Sequence, residues 1–382
     1  HEWFIEFKSD VKKLDQFEKY LDNELCKRNV YYKDLIEGKI LKELENCPLY
    51  LSEMVRKFYK NTDKRLWPAA EKSILANLLS LKDKGVVVDE DNKKAIGVRV
   101  IDAFTKTTKE YFAKVIFLNA STLNTNLILL NSTSDRFPYG LGNDNGLLGK
   151  YIAFHNYRGV ITANHEGHKN KRVDGSKPTT AYVPRFRNVY RQETNFLRGY
   201  AAGFGASKKM NYDDSVIGED LYNNLLNTKE SEIWKVNSHM MGETLPKESN
   251  QVNLDENLTD SWGIPLLKVD VDYDDNDEKM LQDFFDEFSE MYKKAGFTNI
   301  KTNDNGRIPG NDIHEMGGAR MGHDPKTSLL NKWNQIHHCS NVFVTDGACM
   351  TSTSTQNPSL TFMALTARAA NYAIEEIKKG NI

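Results

Sequence analysis

The stretch Ile313–Gly322, IHEMGGARMG, sets one histidine beside backbone of little bulk. His314 is followed by Gly317, Gly318, Arg320 and Gly322. A glycine has no Cβ, so a chain rich in it can approach a neighbour closely. An imidazole at the edge of such a stretch is suited to take a proton from a hydroxyl near neutral pH, for instance against a large flat cofactor. The same pattern also describes a satisfied surface histidine in an ordinary glycine turn, and the stretch alone leaves both readings open. Two other clusters invite chemistry and do not hold it. In His337–Cys339, HHC, the residues are adjacent and rarely converge on one ion, and no second ligand pair at zinc spacing follows, so no metal site is expected. In Phe137–Gly149, FPYGLGNDNGLLG, the spacing of Gly140, Gly142 and Gly146 is GxGxxxG, and the segment before it reads as a helix. The strand–turn–helix context of a dinucleotide fingerprint is therefore missing, and the stretch is expected to be a loop.

The elements that must position these residues fall into three textures. Residues 1 to about 80 are lysine-rich and mostly helical in pattern, with Phe17, Tyr20, Leu21 and Leu25 at helical spacing. From Lys84 the texture changes: GVVVDEDNKKAIGVRVID alternates around a polar turn and reads as a hairpin. EYFAKVIFLNAS then gives a continuous apolar strand ending in small polar residues, followed by the helical spacing of Leu123, Leu127 and Leu130. A buried parallel strand that ends in this way is how α/β sheets present a ligand edge. From Tyr151 to about Ile308 alternating strands such as RGVITA and IPLLKVDVDY dominate. One amphipathic helix carries Met280, Leu281, Phe284, Phe285, Phe288, Met291, Tyr292 and Ala295, with Gly296 at its C-terminal cap. That stripe reads as core. This region is expected to be inserted between two parts of another domain.

The tail repeats the ligand-edge pattern. NVFVTDGACM is a buried strand ending in Asp-Gly, TSTSTQNPSL a polar loop, and TFMALTARAANYAIEEIKK a helix with Met363, Ala367, Ala370 and Ala373 expected on its inner side. Asn357 and Pro358 stand just before this helix, so its free N–H groups and positive dipole end face whatever the loop holds.

Charge and length bound the class. The chain has 382 residues, 51 basic and 53 acidic, enough for two or three domains. No basic stripe points to nucleic acid, and the longest apolar runs are too short for a membrane span. The chain reads as soluble and globular. Its four cysteines, Cys26, Cys47, Cys339 and Cys349, are scattered without a CxxC, which suits a reducing, cytoplasmic compartment. It opens on His1 in mid-pattern, HEWFIEF, so a natural start upstream is expected.

HEMGGARMG, DPKTSLLN, NVFVTDGACM and QNPSLTFMALTARAA, in that order, resemble the C-terminal signature of the glucose–methanol–choline (GMC) oxidoreductases. The likeness is to the branch with pyranose oxidase and the gluconate-type dehydrogenases. KVIFLNASTLNTNLILLNS and FPYGLGNDNGLLGKYIAFH resemble that family's middle section, so the resemblance runs from Lys84 to Ile382. It implies an α/β (α+β) fold: an incomplete FAD-binding α/β domain with an inserted sheet-plus-helix substrate domain, preceded by a small, mostly helical segment. The implied boundaries are 84–150 and 309–382 for the two parts of the FAD domain, with 151–308 for the substrate domain. It also implies oxidation of an alcohol group, on a sugar, polyol or similar small molecule, by hydride transfer to N5 of FAD. His314 matches the family's general base and Asn357 its partner residue. Asp346 and Gly347 match the ribityl–pyrophosphate region of the cofactor site, Asn357, Pro358 and Ser359 the flavin ring, and Ala120 and Ser121 the adenine end. The resemblance leaves the alcohol, the electron acceptor and the oligomeric state open.

The family's N-terminal GxGxxG βαβ unit is absent from this sequence. In its place, residues 1–60, and 1–80 as a domain, resemble the C-terminal domain of auxin-responsive-type acyl-amido synthetases, with Asn29 and Tyr32 fitting an Asn-x-x-Tyr pattern. The chain therefore reads as a truncated or fused fragment. Two alternatives stand beside the oxidoreductase: a catalytically inactive remnant or binding module without the pyrophosphate cradle, and an acyl-adenylate-forming enzyme.

Overall fold

The computed structural model describes residues 81–89, 94–169, 180–211, 215, 217–226, 229–310 and 313–382. The helical pattern of residues 1–80 and the acyl-amido synthetase resemblance lie outside the described residues. The chain divides into two compact units, His1–Lys84 with Arg99–Glu110, and Gly85–Val98 with Tyr111–Ile382. In the first, the described residues include a turn shaped by Asp102, which accepts the N–H groups of Phe104 and Thr105 at 3.0 and 2.8 Å. All that follows concerns the second unit.

The described elements, in chain order, begin with β1 (Leu81–Asp89), β2 (Lys94–Asp102) and β3 (Thr108–Phe112), of which Leu81–Lys84, Arg99–Asp102 and Thr108–Glu110 belong to the first unit, then β4 (Ile116–Leu118) and α1 (Thr122–Asn131). The portions Gly85–Asp89 of β1 and Lys94–Val98 of β2 are neighbours, as the hairpin pattern predicts. The middle of the chain supplies β5 (Lys150–Ala153), β6 (His155–Asn156), β7 (Gly159–His165), β8 (Thr180–Val183), β9 (Tyr200–Asn211), α2 (Gly218–Leu226) and β10 (Lys229–Glu243). After it come β11 (Gln251–Thr259), β12 (Pro265–Asp270), α3 (Asp275–Lys294), β13 (Thr298–Asp304), β14 (Met316–Gly318), β15 (Gln335–Ile336), β16 (Cys339–Val344) and α4 (Ser359–Lys378).

The two apolar strands that end in small polar residues lie side by side. β4 pairs with β16 in parallel, Val342 opposite Ile116 and Val344 opposite Leu118, and Phe117 stacks on Phe343 with centroids 5.0 Å apart. Both strands are apolar on both faces because α1 and the turns around Leu141 and Leu148 pack on one side and Ala369 and Ala373 of α4 on the other. A larger antiparallel sheet has the order β13-β7-β10-β9-β8, with β6 paired to β10. Its core is the inner stripe of α3: Met280, Leu281, Phe284, Phe288 and Tyr292 are all buried against Ile161, Tyr200, Ala202 and Met240. α3 starts in a capping box, Asp274 accepting the N–H groups of Asn276 and Asp277, and stops before Gly296 at φ +76°. A third sheet, β12-β11-β5-β14, carries the glycine-rich stretch.

Two helix faces differ from expectation. On α1, Leu123 and Leu127 are half-buried, while Thr125, Asn126, Ile128 and Leu129 are buried. The helix lies between sheet and loops, so its polar side also faces protein. On α4, Met363 is 68% exposed and Ala367 is exposed as well, whereas Ala369 and Ala373 are buried. Alanines recur all round this helix, so apolar spacing could not choose among its faces; the pairing with Phe343 does.

Candidate active site

The antiparallel pairing of β14 with β5 places Met316 opposite Ala153. Continuing that register by two residues along each chain sets His314 opposite His155, and the two imidazoles meet there. His155 Nε2 and His314 Nδ1 are 3.0 Å apart, with the rings nearly perpendicular at 86°. His155 is buried on β6, edge-on to Tyr157, which stacks in turn on His239. His314 is half-buried and holds φ +70°, a region a residue with a Cβ adopts at a cost. Sequence reasoning does not single out His155. Its one signal is that it closes the stretch GLLGKYIAFH.

Segments that carry other candidates meet at Gly347, in a 3₁₀ turn after β16. A Cβ on Gly347 would lie 2.2 Å from Thr122 Oγ1, 2.7 Å from the Glu315 carbonyl and 3.5 Å from Phe362 of α4. The Thr122 hydroxyl donates to that same Glu315 carbonyl. The segment of His314, the start of α1 after Ala120 and Ser121, the Asp346–Gly347 turn and the first turn of α4 therefore share one neighbourhood. It lies at the C-terminal edge of the parallel pair, where α/β sheets bind ligands. Asn119 and Thr345 at the two strand ends are joined by a 2.8 Å hydrogen bond. With Asp346, Phe362, Met363 and Thr366 they line an open cleft of about 460 Å³.

Asp346 is engaged within the protein. Its carboxylate accepts from the Thr125 hydroxyl at 2.5 Å and from the Ala348 N–H at 3.0 Å. Burial raises its pKa, and the hydrogen bonds from Thr125, Ala348 and Ser121 oppose that rise. Standing at the start of α1, it meets the positive end of the helix dipole. Asn357 is exposed on the loop into α4, whose first residue after the Pro358 cap is Ser359; no side chain caps this helix. The Tyr182 hydroxyl of β8 donates to the Thr355 carbonyl at 3.0 Å and fastens that loop. Leu360 and Met363 are exposed beside it. An uncapped helix start, the side-chain amide of Asn119 and exposed apolar side chains fit a flat ring system with a polar tail. Cys339 and Cys349 are buried, and burial pushes their thiols up to about 11 and about 12, so neither supplies a thiolate.

The glycines beside His314 approach protein. A Cβ on Gly317, at φ +95°, would lie 2.2 Å from the Tyr151 carbonyl, and one on Gly318, at φ +88°, 2.2 Å from Asn126 Oδ1. Asn126 in turn donates to the Gly317 carbonyl at 3.0 Å. The loop Phe137–Gly149 contains turns only, and the N–H groups of Gly140, Leu141, Asn143 and Gly146 all bond to carbonyls of the chain itself.

A sequence profile described as GMC oxidoreductase matches residues 246–366, which span β11 to the first turns of α4 and include His314, Asp346 and Asn357. Over these residues the chain is similar to the GMC oxidoreductases. Among curated relatives, a 2-methyl-1,2-propanediol dehydrogenase of Mycolicibacterium austroafricanum is 33% identical over 74% of this chain and 51% of its own length. A fructose dehydrogenase large subunit of Gluconobacter japonicus is 28% identical over 72% and 50%. The chain thus spans about half the length of the curated GMC relatives it matches. A formate oxidase of Aspergillus oryzae, solved in connection with modification of its FAD, superposes with a TM-score of 0.53 at 12% identity, over 78% of this chain and 60% of that one; this shows the shared fold. A second profile, a beta-lactamase associated winged helix domain, matches residues 51–95, most of them outside the described residues. None of these comparisons supports the acyl-amido synthetase resemblance of residues 1–60. Among the described residues no helix is long and apolar enough to cross a membrane.

Proposed function

We propose that this chain supplies the substrate-facing part of an FAD-dependent oxidoreductase that oxidises a CH–OH group of an alcohol, polyol or sugar. The observation that carries the reading is the convergence of the His314 segment, the start of α1, the Asp346–Gly347 turn and the first turn of α4 at one sheet edge, within a sequence similar to the GMC oxidoreductases. Bound FAD would supply the hydride acceptor at N5. His314 takes the hydroxyl proton as the alcohol carbon gives up its hydride, so that a C=O bond forms and charge balances. Nδ1 of His314 lies 3.0 Å from His155 Nε2, which holds the ring in place. Asn357 holds the same substrate oxygen by its amide. The side-chain amide N–H groups of Asn119, whose oxygen is held by Thr345, and the N–H groups of the α4 start hold the cofactor's ring and ribityl portions, with Ala120 and Ser121 toward the adenine.

The names of the dehydrogenase relatives guide the choice of substrate, a small diol or a sugar. The test is anaerobic reduction. Diols, polyols and sugars are mixed without oxygen with the flavin-loaded protein, in the full-length form in which it occurs, and bleaching of the flavin bands is followed. Bleaching by at least one class of alcohol is expected. Flavin that stays oxidised across the whole panel, in a protein that dithionite does reduce, contradicts the proposal.

A further inference from the structure

We infer that the open face of the large sheet carries a second binding site, for a small polyhydroxylated molecule bearing a carboxylate or phosphate group. Side chains alternate along β10. Val236, Ser238 and Met240 are buried toward α3, while Lys235 and Asn237 are exposed on the opposite face. On that face the register sets Lys235 opposite Asn164 of β7 and Asn237 opposite Thr162. From the other side, β13 sets Lys301 opposite the same Thr162. With Asn299 these side chains line a pocket of about 420 Å³, a size that suits a small molecule.

Charge and donors select the ligand. No carboxylate lines the pocket, and neither Lys235 nor Lys301 has an acidic partner among the described residues. Over the whole chain 51 basic residues are matched by 53 acidic ones, so two uncompensated ammonium groups around one concavity are a local excess. A lysine on an edge strand such as β13 can serve only to discourage pairing with another sheet. That reason does not reach Lys235, because β10 lies inside the order β13-β7-β10-β9-β8. Lys235 is also held in place, donating to Asn164 Oδ1 at 2.9 Å. An ammonium has three N–H groups, so donors remain, and Asn164, accepting through its oxygen, offers its amide N–H groups. Asn299 stands at φ +54° where the β13–β7 register shifts, an irregularity of the kind that re-aims a side chain. An oxyanion balances both ammonium groups, whereas a neutral sugar leaves them uncompensated. The Thr162 hydroxyl and the three amides suit neighbouring hydroxyl groups. None of these residues belongs to the Gly347 neighbourhood, so the site stands apart from the proposed oxidation.

The test is calorimetric titration of the 382-residue chain, at low ionic strength, with D-gluconate, D-glucose 6-phosphate, inorganic phosphate and D-glucose. Saturable binding of gluconate, glucose 6-phosphate or both is expected, and which of them binds decides between carboxylate and phosphate. Glucose should give no saturable heat. Lys235→Gln and Lys301→Gln should each weaken anion binding by about two- to fivefold, the range of an exposed charge pair. The double variant should abolish it at the same concentrations. Lys326→Gln, which alters an exposed lysine outside the pocket, should leave it unchanged. No saturable binding of either sugar anion to the unmodified chain overturns the inference, and so does glucose binding as tightly as the anions. An affinity that the double variant retains, or that Lys326→Gln lowers as much, overturns it too. Inorganic phosphate binding as tightly as glucose 6-phosphate would overturn the polyhydroxylated ligand. The first result is read on the unmodified chain without flavin or turnover, so its failure leaves the proposed oxidation untouched.

Discussion

A single imidazole carries the proposed proton transfer, and its replacement has a defined expected cost. His314→Ala should lower turnover by roughly 10²–10⁴-fold, the usual range for a positioned acid–base group. Flavin content should stay near that of the parent, because the side chain acts on the substrate hydroxyl. Asn357→Ala should cost less, since an amide orients the oxygen without accepting its proton. His323→Ala should leave turnover unchanged, since His323 lies outside the Gly347 neighbourhood and takes no part in the proposed step. Steady-state rates with flavin absorbance on the same samples check all three; full turnover in His314→Ala would remove the base assignment. At this scale the sequence offered His314 as a candidate and gave no sign of its neighbour His155. The pair lies 159 residues apart along the chain, and nothing local to either residue marks the other. The register of β14 on β5 joins them, and register is a tertiary fact.

Strands and helices explain the glycines and one titration. Gly317 and Gly146 both hold left-handed backbone, at φ +95° and +70°, so an alanine pays a similar conformational cost at each. Gly317→Ala also drives a Cβ onto the Tyr151 carbonyl, while Gly146→Ala meets open space. Gly317→Ala should therefore destabilise by on the order of 1–3 kcal/mol more, measured by urea unfolding; equal losses would show that the β5–β14 approach is not what requires Gly317. At the start of α3, Asp277 is buried with its Oδ2 accepting from the Asp274 N–H, and Oδ1 has no partner. Burial raises its pKa to about 7 from an ordinary value of 3.8. Because the folded form binds this proton more tightly, its contribution is fully present below about pH 4 and is lost as pH rises through about 7. Asp277→Asn should then raise the melting temperature at pH 8 and change it little at pH 4; an unchanged or lower value at pH 8 would contradict the buried-carboxyl account. α3 itself was legible because its apolar residues recur at one helical spacing and its cap residues are local. The inner face of α4 was not, since small residues surround that helix and only contact with Phe343 selects a side.

For the molecule as a whole, the strands KVIFLNA and NVFVTDG were legible as ligand-edge strands from composition alone, and their parallel pairing follows from short apolar runs that must be covered on both faces. What the 382 residues hold of a cofactor site is uneven. The cleft at the ends of β4 and β16 and the uncapped start of α4 offer donors and apolar surface for a ring and its ribityl chain. A pyrophosphate needs several convergent N–H groups, and in dinucleotide-binding folds a glycine-rich turn at a helix start provides them. The one glycine-rich loop of comparable spacing, Phe137–Gly149, spends the N–H groups of Gly140, Leu141, Asn143 and Gly146 on its own turns and on the end of α1. The start of α1 already faces the carboxylate of Asp346, which occupies the dipole end a phosphate would use. These residues alone should therefore hold FAD weakly, with flavin lost on gel filtration and no saturable fluorescence quenching at micromolar FAD. Adding a pyrophosphate cradle, as a co-expressed or fused GxGxxG βαβ segment, should give stoichiometric flavin if the two parts assemble. Flavin purifying tightly with the 382-residue chain alone would mean that its phosphates find donors elsewhere. Asp346→Asn would then separate two routes: removing the carboxylate's charge should strengthen binding if the phosphates lie at the α1 start and leave it unchanged if they do not.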